Sequence, residues 1–177
     1  MTLHLLNLDE RTRRLMLSEI EFDISAGTLY LSPRLSTRGR QEYADLLRQA
    51  AAGYDDAWLT DSLRAGGRIN LEEQRRKPKG GFTTARVPVT APDTLAEGEF
   101  NRFYARGLCL RALEDGVSAL VVYRAKEVMN PRRESEMMIG THIDARALLQ
   151  DVRTHPGIDT ALRLPPGPNS GLSVRLP

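Results

Sequence analysis

Two arginines four residues apart, Arg102 and Arg106, stand inside an otherwise apolar stretch, EFNRFYARGLCLRALEDG, residues 99–116. A guanidinium keeps its proton in any protein setting, so a buried one must face carboxylates, carbonyls or a bound anion. At about 100° per residue, Phe100, Phe103, Tyr104, Gly107, Leu108 and Leu110 share one broad helical face and Arg111 falls inside it. Ala105, Cys109 and Ala112 lie opposite, so the helix is covered nearly all round. One reading makes the arginines ion-pair partners of Glu97, Glu99, Glu114 or Asp115, fixing the packing. A second makes Arg102, Arg106 and Arg111 an anion or phosphate site, which suits an enzyme acting on an anionic substrate near Arg102, Arg106 and His142. A third places them at a subunit contact, where arginine is favoured.

Two further groups of cations are candidates for binding. Arg75, Arg76, Lys77 and Lys79 crowd around Pro78, and Gly80 and Gly81 follow. Between residues 68 and 86 these four, with Arg68 and Arg86, face only Glu72 and Glu73. Glycine and proline beside clustered charge suit a loop that tracks a phosphate backbone. No aromatic side chain interleaves with the charges before Phe82. Arg124, Lys126, Arg132 and Arg133 form the second group, with Glu134 and Glu136 as local partners. Arg75, Arg76, Lys77, Lys79, Arg124 and Arg132 are therefore the candidate nucleic-acid contacts.

Other chemistries find little here. The three histidines, His4, His142 and His155, have no metal-ligand spacing to one another or to the single cysteine. His142 and Asp144 share a side of an extended segment, but Asp144 is wanted as a helix cap. Cys109 sits mid-helix among apolar neighbours, where a thiol is inert. No phosphate-binding glycine loop and no nucleophile elbow is present. YRAK, residues 123–126, follows an apolar strand in the manner of a nuclease strand, yet Arg124 stands where a magnesium-binding carboxylate belongs. We expect no catalytic residue, no metal and no cofactor.

The chain has 177 residues, 25 Lys and Arg against 23 Asp and Glu, and 41% hydrophobic residues. That is ordinary globular composition with room for a core. A net charge of +2 confines any polyanion binding to a local patch. One cysteine, no signal-peptide pattern and no long apolar run predict a soluble, cytoplasmic protein with no membrane partner.

These residues must be positioned by a sequence of short elements. Asn7 or Asp9, Ser36, and Asp55 or Asp56 are caps for three helices that end near Gly27, Gly53 and Gly66. Residues 28–31 read as a short strand. Residues 68–81 read as a basic loop, and FTTARVPVT, residues 82–90, as an edge strand because of Pro88. Asp93 or Thr94 then caps the central helix. ALVVY, residues 119–123, reads as a strand buried on both faces, continuing to Val128. A short helix follows Asn130-Pro131, and Asp144 caps the last one. From Pro156 the chain is rich in proline and glycine, yet it carries Leu162, Leu164, Leu172, Val174 and Leu176.

The expected fold class is α+β: a helical N-terminal part (residues 1–67), a small, mainly antiparallel sheet with a central buried helix and the basic loop (68–155), and an extended C-terminal tail (156–177). The leading expectation for function is a non-catalytic interaction or assembly protein, a homo-oligomeric subunit of a bacterial or phage-like assembly, with the tail and residues 75–79 making outside contacts. Nucleic-acid binding by residues 75–79 is the alternative, and an enzyme around Arg102 and Arg106 the third reading.

Overall fold

A computed structural model of the chain describes residues 2–156, 162 and 170–177. Its fold is α+β, with helices building the body and small antiparallel sheets attached. The first three helices begin at side-chain caps. Asp9 accepts from the Thr12 amide at 3.0 Å, Ser36 from Gly39 at 3.1 Å and Asp55 from Trp58 at 2.8 Å. Each bond satisfies a donor that the helix itself leaves free. They open α1 (Glu10–Ala26), α2 (Thr37–Gly53) and α3 (Asp56–Arg64). Gly27 closes α1 at φ 67°, a conformation that costs glycine little.

Helix α4 (Ala91–Glu114) is the axis of the molecule and packs most extensively on α1, then on α3 and on α6 (Ala145–Thr154). Every residue from Arg102 to Cys109 is buried, so neighbours cover the helix on all sides there. Gly107 permits the closest of these approaches: a Cβ at this position would lie 2.8 Å from the Met16 backbone nitrogen of α1. Tyr104, Leu108, Met16 and Ile20 are fully or almost fully buried. The helix starts earlier than expected, at Ala91 rather than after Asp93 or Thr94, because Pro92 belongs to its first turn.

Two sheets replace the single one expected. In the first, β1 (Glu72–Arg76) pairs antiparallel with β2 (Phe82–Arg86) and with nothing else. Part of the segment expected as a loop is thus a strand, and β2 stops at Arg86 instead of Thr90. In the second, β3 (Ala119–Arg124) lies between β4 (His142–Asp144) and β5 (Leu172–Arg175), antiparallel to both. Leu120 pairs with Ile143 and Val122 with Val174, all four buried. β3 ends at Arg124, short of Val128. A short helix, α5 (Arg133–Met138), follows β3. Residues 28–31 form no strand.

Most of the proline- and glycine-rich tail, Leu164 included, lies outside the described residues. Its last part supplies β5, and Leu162 is buried. The other end of the chain is tied to the same region: the His4 amide donates to the Ala125 carbonyl at 2.8 Å, and the Leu176 amide to Asn7 Oδ1 at 2.9 Å.

Candidate functional site

The arginines of α4 meet carboxylates of their own chain. Arg106 is fully buried; its Nε donates to Glu19 Oε2 at 2.7 Å, and Nη1 and Nη2 donate to the two oxygens of Asp23 at 2.6 and 2.8 Å. Arg102 grips Glu99 in the same forked way, with Nη2 at 2.7 Å from Oε2, and its Nη1 lies 3.6 Å from Asp23. Arg153 of α6 donates to Glu19 from the other side at 2.5 Å. Three guanidinium groups thus face three carboxylates, and the charges balance. The Phe103 ring lies between Arg102 and Arg106, whose Cζ atoms are 4.5 and 4.9 Å from its centre.

Electrostatics follow the geometry. Burial pushes the Glu19 carboxyl up, but hydrogen bonds from Arg153 and Arg106 outweigh it and hold its pKa below the ordinary value. Burial works against the charge on Arg102 as well; Glu99 and Asp23 more than restore it, and the guanidinium is held above its usual range. An outside anion would have to displace a bidentate carboxylate to reach Arg106, which has no exposed surface.

The sequence named Glu97, Glu99, Glu114 and Asp115 as partners for these arginines. Only Glu99 serves. Glu97 instead pairs with Lys126, and Glu114 and Asp115 pair with Arg11 at 2.9 and 2.8 Å. Arg111, the third arginine of the apolar face, pairs with Asp9 at 2.5 Å. The partners that sequence reasoning missed are Glu19, Asp23 and Arg153. A signal for one was present, since Glu19 falls on the apolar stripe of α1 with Thr12, and both are buried.

The cations of the β1–β2 hairpin are in the opposite situation. From Glu72 to Arg86 every residue is exposed except Glu73 and Ala85, which are half-buried and face each other across the ladder. Glu73 is held by Arg34 at 2.6 Å and by Arg75 at 2.7 Å. Arg76, Lys77, Lys79 and Arg86 make no ion pair among the described residues. The turn is closed by the Lys77 amide on the Gly81 carbonyl at 2.9 Å, with Gly80 and Gly81 at φ 91° and 78°. Pairing places Glu72 opposite Arg86, Gln74 opposite Thr84 and Arg76 opposite Phe82 on one face. Arg75, Thr83, Glu73 and Ala85 fall on the other.

The remaining candidates lie elsewhere. Arg124 ends β3, in the other sheet; its Nη1 donates to the Ser170 carbonyl at 3.0 Å, and Nη2 is 3.9 Å from Glu136. Arg132 precedes α5, where its carbonyl accepts from Ser135. The structure therefore gathers Arg75, Arg76, Lys77 and Lys79 on one arm and leaves Arg124 and Arg132 outside it.

His142 is exposed on β4, and Asp144 caps α6 by accepting from Ala147 at 2.7 Å. Cys109 is buried, and that burial, with the charge of Glu19 adding, pushes its thiol up to about 12. A cavity of about 110 Å³ opens between α4, α6 and β5. Its polar groups are engaged with one another: Asn101 with Leu172 and Ser173, Lys126 with Glu97, His155 with Asp151. Among the described residues no group of three or more His, Cys, Asp or Glu is placed to hold a metal, and no helix is long and apolar enough to cross a membrane.

Comparison with known proteins finds no matching family model, no matching curated protein and no matching solved structure.

Proposed function

We propose that this protein is a non-catalytic interaction protein and that the β1–β2 arm makes its contacts outside the domain. One observation carries this reading: between Glu72 and Arg86 the chain forms a two-stranded ribbon, paired with no other strand, in which every residue but Glu73 and Ala85 is exposed. A two-stranded hairpin alone is marginal in water. Among the described residues this one has a single side-chain ion pair to the body, Arg34 on Glu73. Arg75 is paired with Glu73, and the arm's other four cations make no ion pair among the described residues. The buried arginines, by contrast, are matched by their own carboxylates, and the cavity presents polar groups already bonded to each other.

Excising the arm tests the reading. A chain with residues 73–85 replaced by a short Gly-Ser link should unfold within a few degrees of the full chain, since no core residue is lost. A melting temperature lowered by ten degrees or more would show the arm to be structural and overturn the reading.

Self-association is the second reading, favoured by Leu71 and Val89. These side chains are 87% and 86% exposed at the base of the arm, where they border an open groove with Ile69 and Pro92. Apolar groups so placed suit an assembly subunit. Light scattering should give a multiple of 19.8 kDa, reduced to the monomer by Leu71→Ser with Val89→Ser. A monomeric full chain at high concentration removes this reading.

A further inference from the structure

We infer that the arm binds double-stranded DNA, with the β1–β2 ribbon lying in the major groove. The inference rests on the arm being the contact-making element and names its partner.

The distribution of charge is the first argument. The hairpin carries five cations against two carboxylates. Glu73 is already engaged by Arg34 and Arg75. The cations are not confined to one side: Arg76 and Arg86 belong to one face, Arg75 to the other, and Lys77 and Lys79 to the turn between the strands. A flat acidic surface could meet only one of these faces. A groove walled by two rows of phosphates takes one face on the base edges and lets long cationic side chains at the strand edges and the tip reach phosphates on either side. A second copy of the arm would bring like charges together, so the ribbon does not suit itself as a partner.

Shape narrows the nucleic acid. Strands of five residues span roughly 16 Å at about 3.3 Å per residue, and the B-form major groove, about 12 Å wide and 8.5 Å deep, admits a two-stranded ribbon. The corresponding groove of A-form RNA is too deep and narrow for side chains to read. Single strands are held largely by aromatic stacking, and Phe82 is the arm's one aromatic residue.

The exposed face has the residue types for reading bases. Gln74 and Arg76 lie two residues apart on that face, opposite Thr84 and Phe82. Gln74 Nε2 donates to Thr84 Oγ1 at 2.9 Å, and its carbonyl oxygen and second amide hydrogen have no partner among the described residues. Arginine reads guanine and glutamine reads adenine through paired hydrogen bonds in this groove. Phosphate contacts then fall to Arg75, Lys77, Lys79 and Arg86.

The test is fluorescence anisotropy with a labelled 20-base-pair DNA duplex and the full-length protein across a salt series. About four phosphate contacts give a log–log salt slope near −3.6. Removing three of these cations in Lys77→Ala/Lys79→Ala/Arg86→Ala should flatten the slope by about 2.7 and weaken binding at low salt at least about tenfold. Gln74→Ala should leave the slope unchanged and narrow the spread of affinities among duplex sequences. Thermal unfolding of each variant confirms that the body is intact. Absence of duplex binding at low salt overturns the inference. So does tighter binding of single-stranded DNA or duplex RNA, a triple variant that binds as the parent does, or preference for an acidic peptide. Any of these leaves the interaction reading in place as long as the arm-excised chain still folds; failure of that chain to fold overturns the interaction reading instead.

Discussion

Arg106 Nη1 lies 2.6 Å from Asp23 Oδ2, at a point with no access to solvent, and this bond joins the central helix α4 to α1. Its chemistry is one-sided. Two desolvated charges stabilise little beyond an apolar pair of equal volume, but either one left alone is costly. Asp23→Ala should therefore lower unfolding free energy by about 3–5 kcal/mol. Urea denaturation measures it directly. A loss below about 1 kcal/mol would mean that Arg106 finds a substitute anion and that the cluster is not closed.

Acid should affect two buried carboxyls in opposite ways. Burial raises Asp56 to about 6; bonds from the Leu3 amide and its own amide oppose the shift, and the charges of Asp55 and Glu97 add to it. The folded state then holds this proton more tightly than the unfolded chain, so Asp56 favours folding more as pH falls from about 6 towards 3.8. Glu19, held low, gives stability above its unfolded value that is lost as pH falls further through its folded pKa. Asp56→Asn should flatten the dependence of unfolding free energy on pH between 4 and 6 and leave stability at pH 7 at least equal to the parent's. Parallel curves for the two proteins across that range would contradict the assignment.

Gly107→Ala sets helix propensity against packing. Alanine gains about 1 kcal/mol over glycine within a helix. Here its methyl would stand 2.8 Å from a backbone nitrogen and 3.1 Å from the Thr12 carbonyl oxygen, neither free to rotate away. Overpacking of this kind costs about 1–3 kcal/mol, so a net loss is expected, read as a lower melting temperature. A more stable Gly107→Ala protein would show that α1 and α4 are farther apart than described.

Cys109 should resist iodoacetamide at neutral pH for as long as the protein is folded, because thiolate is scarce and the sulfur is buried. Mass spectrometry of native and urea-unfolded samples separates the cases. Rapid alkylation of native protein would place this face of α4 in solvent.

The sequence was most informative where local chemistry decides the structure. Caps at Asp9, Ser36, Asp55 and Asp144 are local devices, and all four act as caps. The apolar run at Ala119 marked β3 for the same reason. The arginines of α4 were recognised as needing anions, but Glu19 and Asp23 are more than eighty residues away in the chain, and only the crossing of α1 over Gly107 brings them near. The hairpin escaped notice because EEQRR has neither alternation nor β-branched residues; its pairing with the threonines of FTTAR makes it a strand. Pro88 was read as the sign of an edge strand, and Pro92, in the first turn of α4, went unread, so the helix was expected to begin later, at Asp93 or Thr94.

The exposed arm has a consequence for protease treatment. Its Arg75, Arg76 and Lys79 offer trypsin an accessible run, and a nick there separates α1–α3 from α4 and everything after it. Glu19 and Asp23 stay on the first fragment, while Arg106, Arg102, Glu99 and Arg153 stay on the second. Each half then carries an uncompensated share of charge that was neutral in the whole, so the halves should remain together after cleavage and, once parted in denaturant, should reassociate on dilution.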